Sequence, residues 1–347
     1  MKKDYSNILV VRTDRIGDLV ITTPAIQAIA EAFPQSKLTV LVAKSNRALV
    51  QGNPFIDEIM LEDRKNEHRG VLGFWRLVGE IRKRRFDCAV IFHTKRRTNL
   101  LCFLAGIPER VGYHYYKFGF LLTKKIPDTR HQGLKHEAQY CLDVLKILGV
   151  DADLKRPFLP LQPDAEEWAD QFFGKVKLGP GKKIFAIHPG ASCQTRRWPP
   201  QRFRELIQLL IPRFDCQFLL IGSSEFGPIA KEIQSQLDHP VIDLTGQTSV
   251  AQLVSLLKRC DLLVSVDSGP VHVADALGIS TVCLFTRNQP GINPERWRPL
   301  GEKSRIVVTP FTGQMSFAKS QPVDSQYLGL IKAEQVLQAV DALFKLC

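Results

Sequence analysis

The sequence predicts an α/β protein made of two halves, each a parallel sheet covered by helices on both faces. Three observations carry this. Short apolar runs alternate with longer amphipathic stretches along the chain, the order that strand–helix–strand units impose. The apolar runs read as continuous Val, Ile and Leu, as strands buried on both faces require. A single Pro- and Gly-rich break over 150–182, with Pro157, Pro160, Pro163, Gly179, Pro180 and Gly181, separates two stretches of nearly equal size. At 347 residues, 44% hydrophobic and 24% charged, the chain can build two cores and has the balance of a soluble globular protein.

In chain order, strands are expected at 8–11, 38–42, 88–92, 184–187, 217–221, 241–244, 262–266 and 281–285. Helices are expected at 24–33, 73–85, 134–148, 200–211, 229–237 and 250–259. Pro24, after Thr22 and Thr23, suits the first turn of the first helix. The expected division is a Rossmann-like domain over 1–160, a linker over 161–182 and a second Rossmann-like domain over 183–330. A terminal helix within 331–347 is expected to pack back on the first domain. The two domains are expected to face each other across a central cleft. No internal repeat or low-complexity tract interrupts this plan.

In doubly wound sheets the loops after the carboxyl ends of strands face the ligand. Three such loops carry chemistry. The first, from Arg12 to Pro24, holds Asp14 and Asp18 with Arg12 and Arg15 beside them, and Gly17 permits a tight turn. A carboxylate there can act as a general base on a hydroxyl, or Asp18 can cap the helix. The loop lacks the Gly-x-Gly-x-x-Gly pattern, which counts against a dinucleotide fingerprint. The second, His188 to Pro200, combines Gly190 and Ser192 with Arg196 and Arg197, a set suited to diphosphate. Its alternative is a solvated basic turn anchored by Trp198. The third runs from a strand into Asp267, Ser268, Gly269, Pro270 and His272. Ser268 or Asp267 suits an N-cap, and the free amides of a helix start suit an anion. The alternative for His272 is a neutral core histidine. Two weaker turns hold Glu225, which can accept from ribose hydroxyls, and Thr248, beside a turn where an adenine fits.

The formal net charge is +12, which points to an anionic partner or to plain solubility. Arg82, Lys83, Arg84 and Arg85 form one basic cluster, and Lys95, Arg96 and Arg97 another. No apolar run is long enough to cross a bilayer, and the first one stops at Arg12, so neither a span nor a signal peptide is expected. The expected place is the cytoplasm. The eight cysteines, at 88, 102, 141, 193, 216, 260, 283 and 347, contain no Cys-x-x-Cys pair and are expected to be reduced and mostly buried.

Arg-Thr-Asp-Arg-Ile-Gly-Asp-Leu-Val with Thr-Thr-Pro-Ala, then His-Pro-Gly-Ala with Arg-Arg-Trp-Pro-Pro, then Val-Ser-Val-Asp-Ser-Gly-Pro-Val-His follow one another in order and spacing. In these motifs the chain resembles glycosyltransferase family 9, the ADP-heptose:lipopolysaccharide heptosyltransferases, across nearly its whole length. The resemblance implies a GT-B fold and a metal-independent, inverting transfer that needs no cofactor. The implied donor is ADP-L-glycero-D-manno-heptose and the implied acceptor a phosphorylated lipopolysaccharide inner core. Asp18 falls at the family's general base, and Arg196 where the family has a phosphate-binding lysine. Asp267, Ser268, Gly269 and His272 fall on its donor diphosphate loop, Ser192 and Glu225 on other donor contacts, and Thr248 near the base-binding turn.

Arg15, Lys95, Arg96 and Arg97 are then expected to meet the acceptor, and the basic clusters to touch phosphorylated core or the anionic inner leaflet of the membrane. Departures from the family are the arginine at 196 and the stretch from Thr286 to Leu300, which does not align. Rival readings are a GT-B epimerase, a transferase for another nucleotide sugar and a non-catalytic nucleotide-binding paralogue. A nucleic-acid binder would explain the charge but lacks a motif.

Overall fold

In the computed structural model, which describes residues 4–116, 118–176, 181–310 and 329–345, Val10 lies between Val40 and Val90 on neighbouring parallel strands. Val264 lies likewise between Val282 and Ile187. Each triplet marks the centre of one sheet, because a strand flanked on both sides and covered on both faces tolerates only apolar side chains.

The first unit runs to Pro160 apart from Gln132–Leu134, and the second holds Gln132–Leu134 and the chain from Leu161. The first contains β1 Asn7–Arg12, α1 Ile16–Ala32, β2 Lys37–Ala43, β3 Glu58–Glu62, α2 Gly70–Lys83, β4 Cys88–Ile91, α3 Arg96–Leu104, β5 Glu109–His114, β6 Lys124–Pro127 and α4 Glu137–Leu145. Its strands are all parallel, in the order β3-β2-β1-β4-β5-β6. The order reverses between β1 and β4, so the loops leaving those two strands diverge and open a crevice at the sheet end.

The second unit contains α5 Pro163–Val176, β7 Lys183–His188, α6 Pro200–Leu210, β8 Cys216–Leu220, α7 Gly227–Gln234, β9 Val241–Asp243 and α8 Val250–Lys258. There follow β10 Leu262–Val266, α9 Gly269–Leu277, β11 Ser280–Phe285, α10 Pro294–Trp297, β12 Ser304–Val308 and α11 Ala333–Phe344. The sheet order is β12-β11-β10-β7-β8-β9, again parallel, with its reversal between β10 and β7. Phe185, Phe203 and Phe218 are wholly enclosed in its core, each burial contributing on the order of 2 kcal/mol.

All eight apolar runs read from the sequence are strands. Four strands were not expected, namely β3, β5, β6 and β12. Three of these are edges, half-exposed on one side and so free of any need for a continuous apolar run. β6 carries two lysines and Pro127, residues suited only to an edge. In β5, Gly112 lies so close to β4 that a Cβ there would fall 2.8 Å from the Ile91 carbonyl oxygen.

The first helix corrects the expectation for Pro24. α1 begins at Ile16, so Pro24 stands inside it rather than in its first turn. A proline there leaves the Val20 carbonyl without its amide partner, and the Thr23 hydroxyl donates to that oxygen at 2.8 Å. The Thr22 hydroxyl donates to the Asp18 carbonyl at 2.7 Å. The Thr23 bond makes the proline tolerable in mid-helix.

The linker expected over 161–182 meets α5, whose Glu166 and Asp170 pair with Arg259 at 3.1 and 2.6 Å. Residues 177–180 of that stretch lie outside the described residues. The terminal helix α11 belongs to the second unit. It buries Ala333, Val336, Leu337 and Val340 in the core of the second, beside α6, because its apolar stripe completes that unit's sheet cover. Among the described cysteines all are free and only Cys193 is not buried. Cys347 and 311–328 lie outside the described residues. Among the described residues no helix is long and apolar enough to cross a membrane.

Candidate active site

The two switch points gather the sequence motifs, each within its own unit. In the first unit β1 ends on Arg12, whose side chain is 1% exposed. Its guanidinium meets Asp14 at 3.0 Å, Asp18 at 2.9 Å and Glu137 at 3.5 Å, and donates to the Phe92 carbonyl at 2.6 Å. Burial opposes its charge, but the carboxylates, Asp14 and Asp18 foremost, overrule burial and hold the guanidinium protonated. Asp18 sits in the first turn of α1, and the N-cap position belongs to Arg15. The capping alternative for Asp18 therefore fails: its Oδ1 is taken by Arg12. The carboxylate keeps 17% exposure, enough for its other oxygen to meet a hydroxyl. Arg15 is exposed at the mouth of the same loop.

The loop after β4 separates residues that the sequence grouped. Lys95 and Arg96 are exposed, but Arg97 turns inward. It donates to Glu62 at 2.7 Å and to the His68 carbonyl at 3.1 Å and lies over the Phe74 ring at 4.8 Å. Glu62 is buried and bound by two arginines, Arg64 and Arg97, which hold its carboxyl ionised against burial. Arg97 is thus committed to the fold of the first unit, unlike its two neighbours.

Sequence reading missed three side chains here. His93 is buried, with Nε2 on the Thr98 hydroxyl at 2.8 Å, and its Nδ1 has no hydrogen-bond partner among the described residues. Burial first, then the charges of Arg12 and Lys95, push its pKa well down, so it is a neutral imidazole. Arg130 grips Asp128 with two bonds of 2.8 Å and stacks 3.8 Å from the Tyr113 ring. Glu137 stands between Arg12 and Arg130. His93 was findable, as the first residue past an expected strand. Nothing in the sequence pattern marks Arg130 or Glu137.

In the second unit His188 ends β7 beside β10. Its Nδ1 meets Ser265 and Ser268, both at 3.1 Å, and the two hydroxyls lie 2.9 Å apart. Burial pushes the imidazole pKa down to about 4, so it too is neutral at neutral pH. Ser268 is the N-cap of α9, but its hydroxyl turns to His188 and Ser265 instead of capping. Pro270 has no amide hydrogen and the Val271 amide goes to the Ser268 carbonyl at 3.2 Å, so the capacity of the α9 start for an anion rests on the Gly269 amide.

Arg196 spans the same point. Its Nη1 reaches the Asp267 carboxylate at 3.4 Å and the Asp267 carbonyl at 3.3 Å, and its Nη2 donates to Ser192 at 2.8 Å. Arg197 goes elsewhere, to the Ala191 carbonyl at 3.0 Å and over the Phe226 ring at 5.3 Å, where it braces the loop. His272 is buried in the first turn of α9. Gly269 opens that helix.

One further residue joins this group. Arg287 follows β11, the strand beside β10, and is partly buried. Burial first, then the nearby charge of Arg196, makes its protonated form harder to keep. The Nε atoms of Arg196 and Arg287 are both buried and lack hydrogen-bond partners among the described residues. Two guanidinium groups that repel each other, with Asp267 as their shared carboxylate, form a place prepared for more negative charge. The strand-to-loop rule applied to the run 281–285 would have found Arg287; the lack of a recognisable motif after it hid it.

Glycines let the loops after β7, β8 and β9 close on one another. A Cβ on Gly190 would fall 2.3 Å from the Phe226 ring, and one on Gly246 2.7 Å from Ser224 Cβ. Glu225 is exposed on the turn after β8 and accepts from Ser223 at 3.0 Å. Thr248 is half-buried after β9, just ahead of Ser249, which forms a capping box with Gln252. Read across the sheet, Arg287, Asp267, Arg196, Glu225 and Thr248 lie on successive loops. Such a row offers cations for phosphate at one end and neutral or acidic groups for a nucleoside at the other. No group of three His, Cys, Asp or Glu side chains that could hold a metal occurs among the described residues.

Comparison with known proteins agrees with this layout. A family model described as glycosyltransferase family 9 (heptosyltransferase) matches residues 74–326. Lipopolysaccharide heptosyltransferase 2 of Escherichia coli (strain K12) is 26% identical over 346 residues, covering 97% of this chain and 98% of that protein. The crystal structure of a family 9 glycosyl transferase from Veillonella parvula DSM 2008 matches with a TM-score of 0.87 at 24% identity, covering 99% of both chains. That of the E. coli ADP-heptose lps heptosyltransferase II matches with a TM-score of 0.78 at 23% identity and 98% coverage of both. The fold is of the GT-B class.

Proposed function

The chain belongs to glycosyltransferase family 9, and on that premise we propose that it transfers a heptose from ADP-L-glycero-D-manno-heptose to a phosphorylated inner-core acceptor of lipopolysaccharide. The observation that carries the donor half is the pair Arg196 and Arg287 beside the uncapped start of α9. A diphosphate supplies the negative charge that these groups lack. The similar proteins support the sugar: one of the solved structures is that of the E. coli ADP-heptose lps heptosyltransferase II.

The proposed reaction is one displacement at the anomeric carbon. The acceptor oxygen attacks as its proton passes to Asp18, the bond from carbon to the donor phosphate oxygen breaks, and ADP leaves from the opposite face. Configuration inverts. Arg12 fixes one oxygen of Asp18, which leaves the other for the hydroxyl. Arg196, Arg287 and the Gly269 amide offset the charge that grows on the leaving diphosphate. Ser192 orients Arg196, and His272, Glu225 and Thr248 are assigned to the donor. Arg15, Lys95 and Arg96 are assigned to acceptor phosphates; Arg97 is withdrawn from that set because Glu62 occupies it. Neither a cofactor nor nucleic acid is assigned. Because such an acceptor is lipid-borne, the protein is placed at the inner face of the cytoplasmic membrane.

The test is calorimetric ADP binding beside product analysis with ADP-heptose and truncated core acceptors. Asp18→Asn is expected to bind ADP as the wild type does and to lose roughly 10²–10⁴-fold in turnover. Arg287→Ala is expected to weaken ADP binding by roughly tenfold or more. Wild-type turnover in the Asp18 variant would remove the base assignment, and absence of any heptose mass gain would remove the reaction.

A further inference from the structure

Six of the nine large apolar side chains exposed among the described residues lie between positions 71 and 120, so exposure is concentrated in one stretch of the first unit. Its centre is α2. This helix buries Gly73, Leu77, Val78 and Ile81 on the sheet. At helical spacing its outer side then presents Val71, Leu72 and Trp75 in the first half, 73%, 86% and 51% exposed. Arg76, Arg82 and Lys83 follow on the same side, all exposed. The helix's one carboxylate, Glu80, is turned to His68 at 3.4 Å.

The surface continues beyond the helix. Arg82 donates to the Leu104 carbonyl at 2.5 Å, which ties α2 to the end of α3 and to exposed Phe103. Arg110 lies over that ring at 5.5 Å and donates to the Leu121 carbonyl at 2.7 Å, next to exposed Phe120. Apolar tips and guanidinium groups therefore alternate over one continuous side of the unit. An in-plane helix with an apolar wedge, aromatic flanks and a basic rim fits the interface of an anionic bilayer, where rings sit at headgroup depth and cations meet phosphates.

We propose that the outer face of α2, extended by Phe103 and Phe120, docks the first unit on an anionic lipid surface. The inference rests on the reading above that the acceptor is lipid-borne, and it names the surface that reading leaves open. Of the two basic clusters expected at the phosphorylated core or the membrane, it keeps Arg82 and Lys83 on the docking face and leaves out Lys95–Arg97, of which Arg97 is spent inside the fold.

The test is sedimentation with vesicles of phosphatidylcholine alone or with about a third phosphatidylglycerol, at low and physiological salt. The protein is expected to bind the anionic vesicles and not the neutral ones. Brominated acyl chains are expected to quench its tryptophan emission, and Trp75→Phe to remove that quenching. Arg76→Glu with Lys83→Glu should weaken binding by roughly tenfold or more, and so should Leu72→Ser with Trp75→Ser. Both double variants should keep wild-type turnover on a soluble truncated acceptor. Equal binding to neutral vesicles, no binding to anionic ones, or unchanged binding by both double variants would overturn the proposal. So would binding of a duplex oligonucleotide, at the same salt, that these variants abolish. Vesicle binding that follows this pattern in a protein without heptose transfer would support the docking face and overturn the proposed reaction alone.

Discussion

Arg12 shows how one side chain organises a site from below. It is enclosed, it carries charge, and carboxylates from α1, the loop before it and α4 converge on it. Removing one partner of such a cluster leaves like charges buried together. Arg12→Met is therefore expected to cost about 3–5 kcal/mol of stability, read by urea unfolding; a change below 1 kcal/mol, on the order of a surface pair, would mean the cluster is not formed. His188 makes a different prediction, in pH. Its pKa is pushed down by burial to about 4 from an ordinary 6.5. Between those values the unfolded chain binds the proton and the folded one does not. The stability is complete above the unfolded value and is lost as pH falls through the window towards 4. The span amounts to on the order of 3 kcal/mol. Unfolding midpoints at pH 7, 5.5 and 4 should decline more steeply in the wild type than in His188→Gln; equal slopes would contradict the enclosed neutral imidazole. His93 acts with the same sign, since burial lowers its pKa as well.

At the scale of elements, the site depends on how closely loops approach. The loop after β7 can lie against the turn after β8 only because Gly190 has no side chain where the Phe226 ring stands. Gly190→Ala should force that ring or the loop aside, at about 1–3 kcal/mol, and should weaken ADP binding in parallel. Phe226→Leu in the same chain should return part of both losses. Recovery of stability without recovery of ADP affinity would show that the loop does not shape the donor site. Trp198, enclosed at the start of α6, bonds through its indole to the Ile331 carbonyl at 3.0 Å and so fixes the approach to α11. The Pro-rich start of α6 is thus a joint between elements far apart in sequence, besides ending the loop that carries Arg196.

At the scale of the whole molecule, the two units carry separate hydrophobic clusters, and the groups proposed to hold the donor all lie in the second. Saturating ADP should therefore raise the calorimetric transition of the second unit, by about 2.7 kcal/mol at a hundredfold excess over Kd, and leave that of the first in place. Tryptophan identifies the units. Trp75 is in the first, whereas Trp168, Trp198 and Trp297 are in the second, so Trp75→Phe yields a reporter of the second alone. Equal shifts of both transitions would assign the nucleotide to both units.

The α/β class, the central strands, and the placing of Arg196 and Asp267 on the loops that leave strands were legible in the amino-acid order; Asp18 was read on such a loop but stands in the first turn of α1. A strand enclosed on both faces can only be an unbroken Val, Ile and Leu run, and the turn after it needs Gly, Ser, Asp or Pro. Edge strands escape that constraint, which is why β3, β6 and β12 left no mark. Which member of a basic cluster is free was equally hidden: Arg97 and Lys95 read alike, yet one meets Glu62 and the other does not. Arg287, Arg130 and Glu137 acquire meaning only from neighbours distant in the chain. Local pattern records what a residue's own segment demands of it. Charge pairing, like the crowding that keeps Gly190 bare, depends on contacts that exist only once the segments have packed.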